Sequence, residues 1–249
     1  MKKLYTKNEN SFAILLIILY CVLFSVGDNI SDAFGIAKIA TFPIALLLSI
    51  IILLFIRKNG LSEKYGLCKS KVPASKMLFY IPIMIIITMN LWYGIALKLS
   101  VLEAVLYILT MLYVGFLEEI IFRGFLFKSM LKDNPTSAII ISSVTFGIGH
   151  IVNLFNGSGA ELLPNILQVI YAIGFGFMCV MIFYKSGSMI PCIIVHSLFN
   201  ALSVFANEAE ITANEQIISC IILTVLSGSY ALYITLKFKD KKNTENANA

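Results

Sequence analysis

Charged side chains are scarce in this 249-residue sequence: 13% are Asp, Glu, Lys or Arg, against 59% hydrophobic residues. An average soluble domain carries about 25% charged and about 45–50% apolar residues. A chain this short of charge has too little polar surface to cover a core in water, and it is too apolar to be disordered. Both classes are excluded, and lipid must cover much of the molecule. Cysteine is sparse as well. Cys21, Cys68, Cys179, Cys192 and Cys220 are odd in number and scattered, with no C-x-x-C pair. That argues against a disulfide framework and a structural zinc site alike. The strict alternation of a membrane β-barrel is absent, as are internal repeats, low-complexity tracts and any soluble domain. G-x-S-x-G and H-E-x-x-H are also missing, which removes a nucleophile-elbow serine hydrolase and a zincin helix.

Long apolar runs are what the sequence has instead. Eight lie near 12–27, 36–56, 77–97, 104–127, 137–155, 166–184, 189–206 and 216–236. Backbone groups in hydrocarbon must be satisfied internally, so each run predicts a helix. The expected fold is an all-α, polytopic membrane helical bundle of about eight transmembrane helices. It forms a single integral-membrane domain over 1–249, with a catalytic core at 102–206 and a polar tail at 237–249. The seventh run is short, which predicts that it is buried among its neighbours.

The net charge of +5 follows topology. With the N-terminus cytoplasmic, seventeen of the nineteen basic residues fall in cytoplasmic segments, and only Lys38 and Lys98 fall outside. The outer loops carry Asp28, Asp32, Glu103, Glu161, Glu208, Glu210 and Glu215. This is the positive-inside pattern, and it places both termini in the cytoplasm. The expected location is the bacterial plasma membrane, with lipids as partners and no nucleic acid. The basic start and small residues Ser25 and Gly27 of the first run also resemble a signal peptide; the expectation is a retained helix.

An ionisable group in the bilayer costs about 2.5–3.5 kcal/mol on insertion scales, so the residues that accept this cost are informative. They are Glu118, Glu119 and Arg123 in the fourth run, His150 in the fifth, and His196 with Asn200 in the seventh. Lys132 to Glu118 and Thr136 to His150 are each fourteen residues, or about 21 Å of helix rise. Gly187 to Asn200 is thirteen, or about 20 Å. Three helices thus set their polar groups in one layer roughly half-way across. Glu119 and Arg123, at i and i+4, share a face and can neutralise each other. Glu118 has no such neighbour and is expected to look toward a different partner. His196 and Asn200 are also i, i+4. Gly147 and Gly149 are expected to admit a close backbone near His150. Taken singly, each feature has a plainer meaning. A histidine in a helix is most often an interhelical hydrogen bond, Asn200 alone is helix glue, and Phe122, Phe125 and Phe127 are lipid-facing or core.

Together they can hydrolyse a peptide bond. That reaction needs an activated water, an oxyanion site and a proton for the leaving amine. Glu118 would move the proton, His150 would orient the water, His196 and Asn200 would donate to the oxyanion, and Arg123 would hold Glu119. Two His and two Glu could instead form a zinc site with an open position, with Glu118, His150 and His196 as ligands. Metal-bound and metal-free water both stay open at this point.

The strings Glu118-Glu119…Arg123, Phe146…His150 and His196…Asn200 resemble the three motifs of the CPBP family, the CAAX proteases and bacteriocin-processing enzymes, also labelled abortive-infection proteins. The resemblance centres on 102–206 and leaves the first three helices contributing little beyond compatible topology. It implies an intramembrane endopeptidase. The counterpart of Glu118 activates water with that of His150, and the counterparts of His196 and Asn200 serve the oxyanion. The family is often called a metalloprotease family; the reading favoured here is the glutamate mechanism without bound metal, with a divalent ion such as zinc as the other option. Implied substrates are peptides or lipid-anchored proteins, of CAAX type or of bacteriocin- or pheromone-precursor type. A proton-coupled transporter and a non-catalytic peptide-binding immunity protein are the alternatives.

Overall fold

Local sequence starts and stops most of the helices. After the short α1 (Lys2–Lys7), Asn8 caps α2 (Glu9–Phe34) by accepting the Ser11 N–H, and left-handed Gly35 closes it. α3 spans Thr41–Lys58. The computed structural model describes residues 1–156, 160–207 and 211–238, and over these it is an all-α polytopic bundle.

The third apolar run is broken rather than continuous. Ala74–Tyr80 is a 3₁₀ segment whose Leu78, Phe79 and Tyr80 have φ of 50°, 49° and 59°. α4 is only Ile81–Thr88, and Met89–Leu91 forms another 3₁₀ turn. Pro82 in the first turn of α4 explains the restart, since a missing N–H is tolerated there and not in a helix interior.

α5 (Val101–Glu118) begins at a capping box in which Ser100 and Glu103 satisfy each other's backbone N–H groups. It passes directly into a π-helix, Glu119–Phe127, and a last α-turn, α6 (Lys128–Leu131). Asn134 caps α7 (Pro135–Gly149), which continues as a 3₁₀ turn over His150–Leu154. α8 (Leu162–Ser186), α9 (Ile190–Leu202) and α10 (Ala213–Lys237) complete the chain. A second capping box, Thr212 with Glu215, opens α10. Two of the acids assigned to outer loops, Glu103 and Glu215, are therefore helix caps.

Among the described residues, seven helical segments are long and apolar enough to cross a membrane; the shorter Ile190–Phe205 is the seventh of the eight apolar runs. It packs against α5 and α4 and buries Cys192, Val195, His196, Ser197 and Ala201. Glu208, Glu210 and residues 239–249, most of the expected polar tail, lie outside the described residues.

Helix ends gather on two opposite faces. On one, the 59–80 segment ties α2, α8, α9 and α10 together: Lys64 bonds Glu9 at 2.7 Å, the Lys71 N–H donates to Ser186, the Met189 N–H donates to Gly66, and Tyr230 donates to the Met77 carbonyl. Gly66 is required there. Its φ is +67°, and a Cβ would stand 2.4 Å from the Phe183 ring. On the other face, Asn29 donates to the Asn156 carbonyl, the Ala37 N–H donates to Glu103, and the Ala96 N–H donates to Phe205.

Candidate active site

Two glycine crossings set the site. A Cβ on Gly115 of α5 would lie 2.3 Å from Ser197 Oγ and 2.5 Å from Ser197 N on α9, so the two backbones touch there. Gly115 precedes Glu118 by one turn, and Ser197 follows His196, so this contact delivers the carboxylates to the imidazole. On α7, a Cβ on Gly147 would lie 2.8 Å from the backbone N of Ile173 on α8. Gly149, by contrast, has nothing within 4 Å. The expected close approach holds at Gly147 and fails at Gly149, which lines a cavity instead.

The polar groups meet around His196. Its Nδ1 is 2.8 Å from Glu119 Oε1, and its Nε2 is 3.3 Å from Glu118 Oε2. With Glu118 Oε1 turned to a separate partner, as the sequence predicts, Glu118 Oε2 and Glu119 Oε1 bracket one ring. The π-helix that starts at Glu119 accounts for this: its wider turn advances successive residues by less angle than an α-turn, so adjacent side chains can converge. Its irregular ladder is supported from α7, where Ser142 Oγ donates to the Phe122 carbonyl at 2.9 Å. The expected Glu119–Arg123 pair is present at 3.1 Å, with both side chains wholly buried.

Phe146 is the shared wall. Its ring meets His150 edge-on at 5.3 Å and His196 at 5.6 Å, and Arg123 Cζ lies 4.0 Å from its centroid. A Phe one turn before a His thus packs both imidazoles and covers the guanidinium. Phe122, Phe125 and Phe127 are core residues.

His150 stands at the junction between α7 and its 3₁₀ extension, and Asn165 donates to its carbonyl at 2.8 Å. Glu118, His150 and Asn200 line one cavity of about 490 Å³, a volume usual for a ligand site. His150, His196 and Asn200 also line a small apolar recess with Phe146 and Phe175.

One neighbour of the candidate site lies outside the three strings. Tyr20 of α2 donates to Glu118 Oε1 at 2.6 Å, both groups being buried. The expectation that the first three helices add only topology is corrected by this bond. A tyrosine in an apolar run carries no charge to flag it. Its depth was the available signal, since Lys7 to Tyr20 is thirteen residues, or about 20 Å of rise.

The proposed metal ligands can be tested by distance. Glu118 Oε2 and His196 Nε2 are spaced like two neighbouring ligands of one zinc ion. His150 does not join them: among the described residues, the group with three ligand atoms mutually within 4.8 Å is Glu119, Cys179 and Cys192. Glu118, His150 and His196 therefore do not close around an ion.

Residues 100–202 match the family described as type II CAAX prenyl endopeptidase Rce1-like. The match contains all three motifs and leaves Tyr20 outside it. It is consistent with the CPBP/CAAX protease family and supports a CAAX-type intramembrane endopeptidase; the seven apolar helical segments agree with an integral membrane protein. No curated protein matches the chain.

Proposed function

We propose that the protein hydrolyses a peptide bond in a membrane-associated peptide or protein with a water activated by Glu118, without a metal. The observation that carries this reading is the arrangement around His196, with a carboxylate facing each ring nitrogen at 2.8 and 3.3 Å, beside a cavity also lined by His150 and Asn200. Glu118 takes a proton from water held with His150. The hydroxide adds to the carbonyl carbon, and the oxyanion is met by donors from Asn200 and His196. Glu118 then returns the proton to the leaving amine as the C–N bond breaks. Arg123 and Glu119 hold the His196 ring, and Tyr20 holds the Glu118 carboxylate.

The substrate is of CAAX or bacteriocin- or pheromone-precursor type, and the membrane is the bacterial plasma membrane. The test is cleavage of an internally quenched peptide by detergent-purified protein, wild type beside His150→Ala and Asn200→Ala. Loss of one oxyanion donor is expected to slow turnover by about 100–1,000-fold with folded yield retained. A wild type that binds the peptide and never cuts it would favour the non-catalytic peptide-binding alternative.

A further inference from the structure

The cavity beside Glu118 runs toward only one of the two faces. From the carboxylate its wall climbs α2 through Cys21, Phe24, Ser25 and Asp28, and α5 backward through Val114, Thr110 and Tyr107. It ends among Lys38, Asn156, Ala160 and Pro164, at the face where α2 finishes and α5 and α8 begin. Asp28 and Lys38 form an ion pair at 2.7 Å in this rim and remain partly exposed.

The other direction is sealed. Immediately past Arg123, a Cβ on Gly124 would lie 3.6 Å from the Tyr65 ring, so that ring closes over the helix there. Phe125 is ringed by Tyr65, Phe12, Phe55 and Tyr5 at centroid distances of 4.7, 5.2, 6.3 and 6.5 Å. Tyr65 donates to Tyr5 at 3.0 Å, and Lys64 binds Tyr5 and Glu9 over the top. This plug of aromatic rings leaves no passage from Glu119 to that face.

The sealed face is the basic one. It carries Lys7, Arg57, Lys58, Lys64, Lys128 and Lys185 among others, whereas among the described residues the open face carries only Lys38 and Lys98. Short basic segments remain in the cytoplasm, so the open face is extracytoplasmic.

The wall of the cavity is also suited to a peptide. Its polar lining is largely uncharged: Asn90, Asn153, Asn165, Gln168 and Asn200 with the hydroxyls of Tyr107 and Ser203.

We propose that this site takes its substrate from the extracytoplasmic side, as an extended peptide segment of a secreted or outward-facing membrane protein, which selects the precursor type over a CAAX terminus anchored on the cytoplasmic face. The identity of the occupant rests on the endopeptidase reading; the direction of access does not. Two native cysteines test the direction. Cys21 lines the cavity next to Tyr20, and Cys68 lies in the 59–80 segment on the sealed face; both are partly exposed. Right-side-out spheroplasts and inverted vesicles holding the full wild-type chain are treated at alkaline pH, which populates the thiolate, with a sulfonated, membrane-impermeant maleimide. Adducts are located by peptide mass mapping.

Adduct on Cys21 in spheroplasts and its loss in inverted vesicles, with the reverse for Cys68, is the expected result. Labelling of Cys21 only in inverted vesicles overturns the proposal, and so does the absence of adduct on Cys21 from either side. Glu118→Gln is expected to label like wild type, so a failed protease reading and a failed access reading give different results.

Discussion

Replacement of Gly115 by alanine tests the crossing that assembles the site. The new methyl would stand 2.3 Å from Ser197 Oγ, 2.5 Å from Ser197 N and 2.6 Å from Ser197 Cα. The hydroxyl can rotate away, but the two backbone atoms cannot. Contact between such atoms becomes comfortable only near 3.5 Å, so α5 and α9 must part by about 1 Å. His196 would then leave hydrogen-bond range of Glu119 and move further from Glu118, starting from 2.8 and 3.3 Å. Misplacement of about 1 Å can cost about 100-fold in rate, and overpacking of this kind destabilises by about 1–3 kcal/mol. Peptide cleavage by purified Gly115→Ala is therefore expected to fall about 100-fold while the protein still purifies folded. Gly149→Ala is the control: with nothing within 4 Å of its Cβ position, its melting temperature should match wild type. Wild-type turnover by Gly115→Ala would refute the argument that this contact sets the carboxylate–imidazole geometry.

Other perturbations separate the neighbouring groups. Tyr20→Phe removes a 2.6 Å hydrogen bond to a carboxylate, an interaction of about 1.5–3 kcal/mol. It should lower kcat/KM about ten-fold or more. Glu119→Gln leaves Arg123 buried without its counter-charge and should destabilise by about 3–5 kcal/mol, read as a loss of folded yield together with activity. Incubation with EDTA and removal of the chelator should leave turnover unchanged; loss of activity restored by zinc would return Glu118 and His196 to the role of ligands.

The architecture is legible in the sequence because membrane helices must be long, apolar and internally bonded. The three polar strings lie in one layer because rise per residue is fixed, and their meeting around His196 agrees with the depth arithmetic. The shortness of the seventh run likewise marks a helix whose inner side carries the site. Other features depend on tertiary contacts that no spacing rule contains. The π-helix after Glu118 changes which way adjacent residues point, and its support from Ser142 comes from another helix. Pro82 signals a restart but not the left-handed turn before it. Tyr20 is silent by charge and becomes visible only when a buried hydroxyl is asked for its partner. Gly147 and Gly149 look alike in sequence; one lies against α8 and the other on the cavity wall, because two residues along an α-helix turn the side by about 200°.

The most direct test of the central claim is the turnover of Glu118→Gln beside wild type, in one detergent preparation with one quenched peptide. The substitution keeps the side chain's size and its contact with Tyr20 while removing the base. The account predicts a folded protein that binds the peptide and cuts it at least about 100-fold more slowly. Cleavage by Glu118→Gln at the wild-type rate would contradict it.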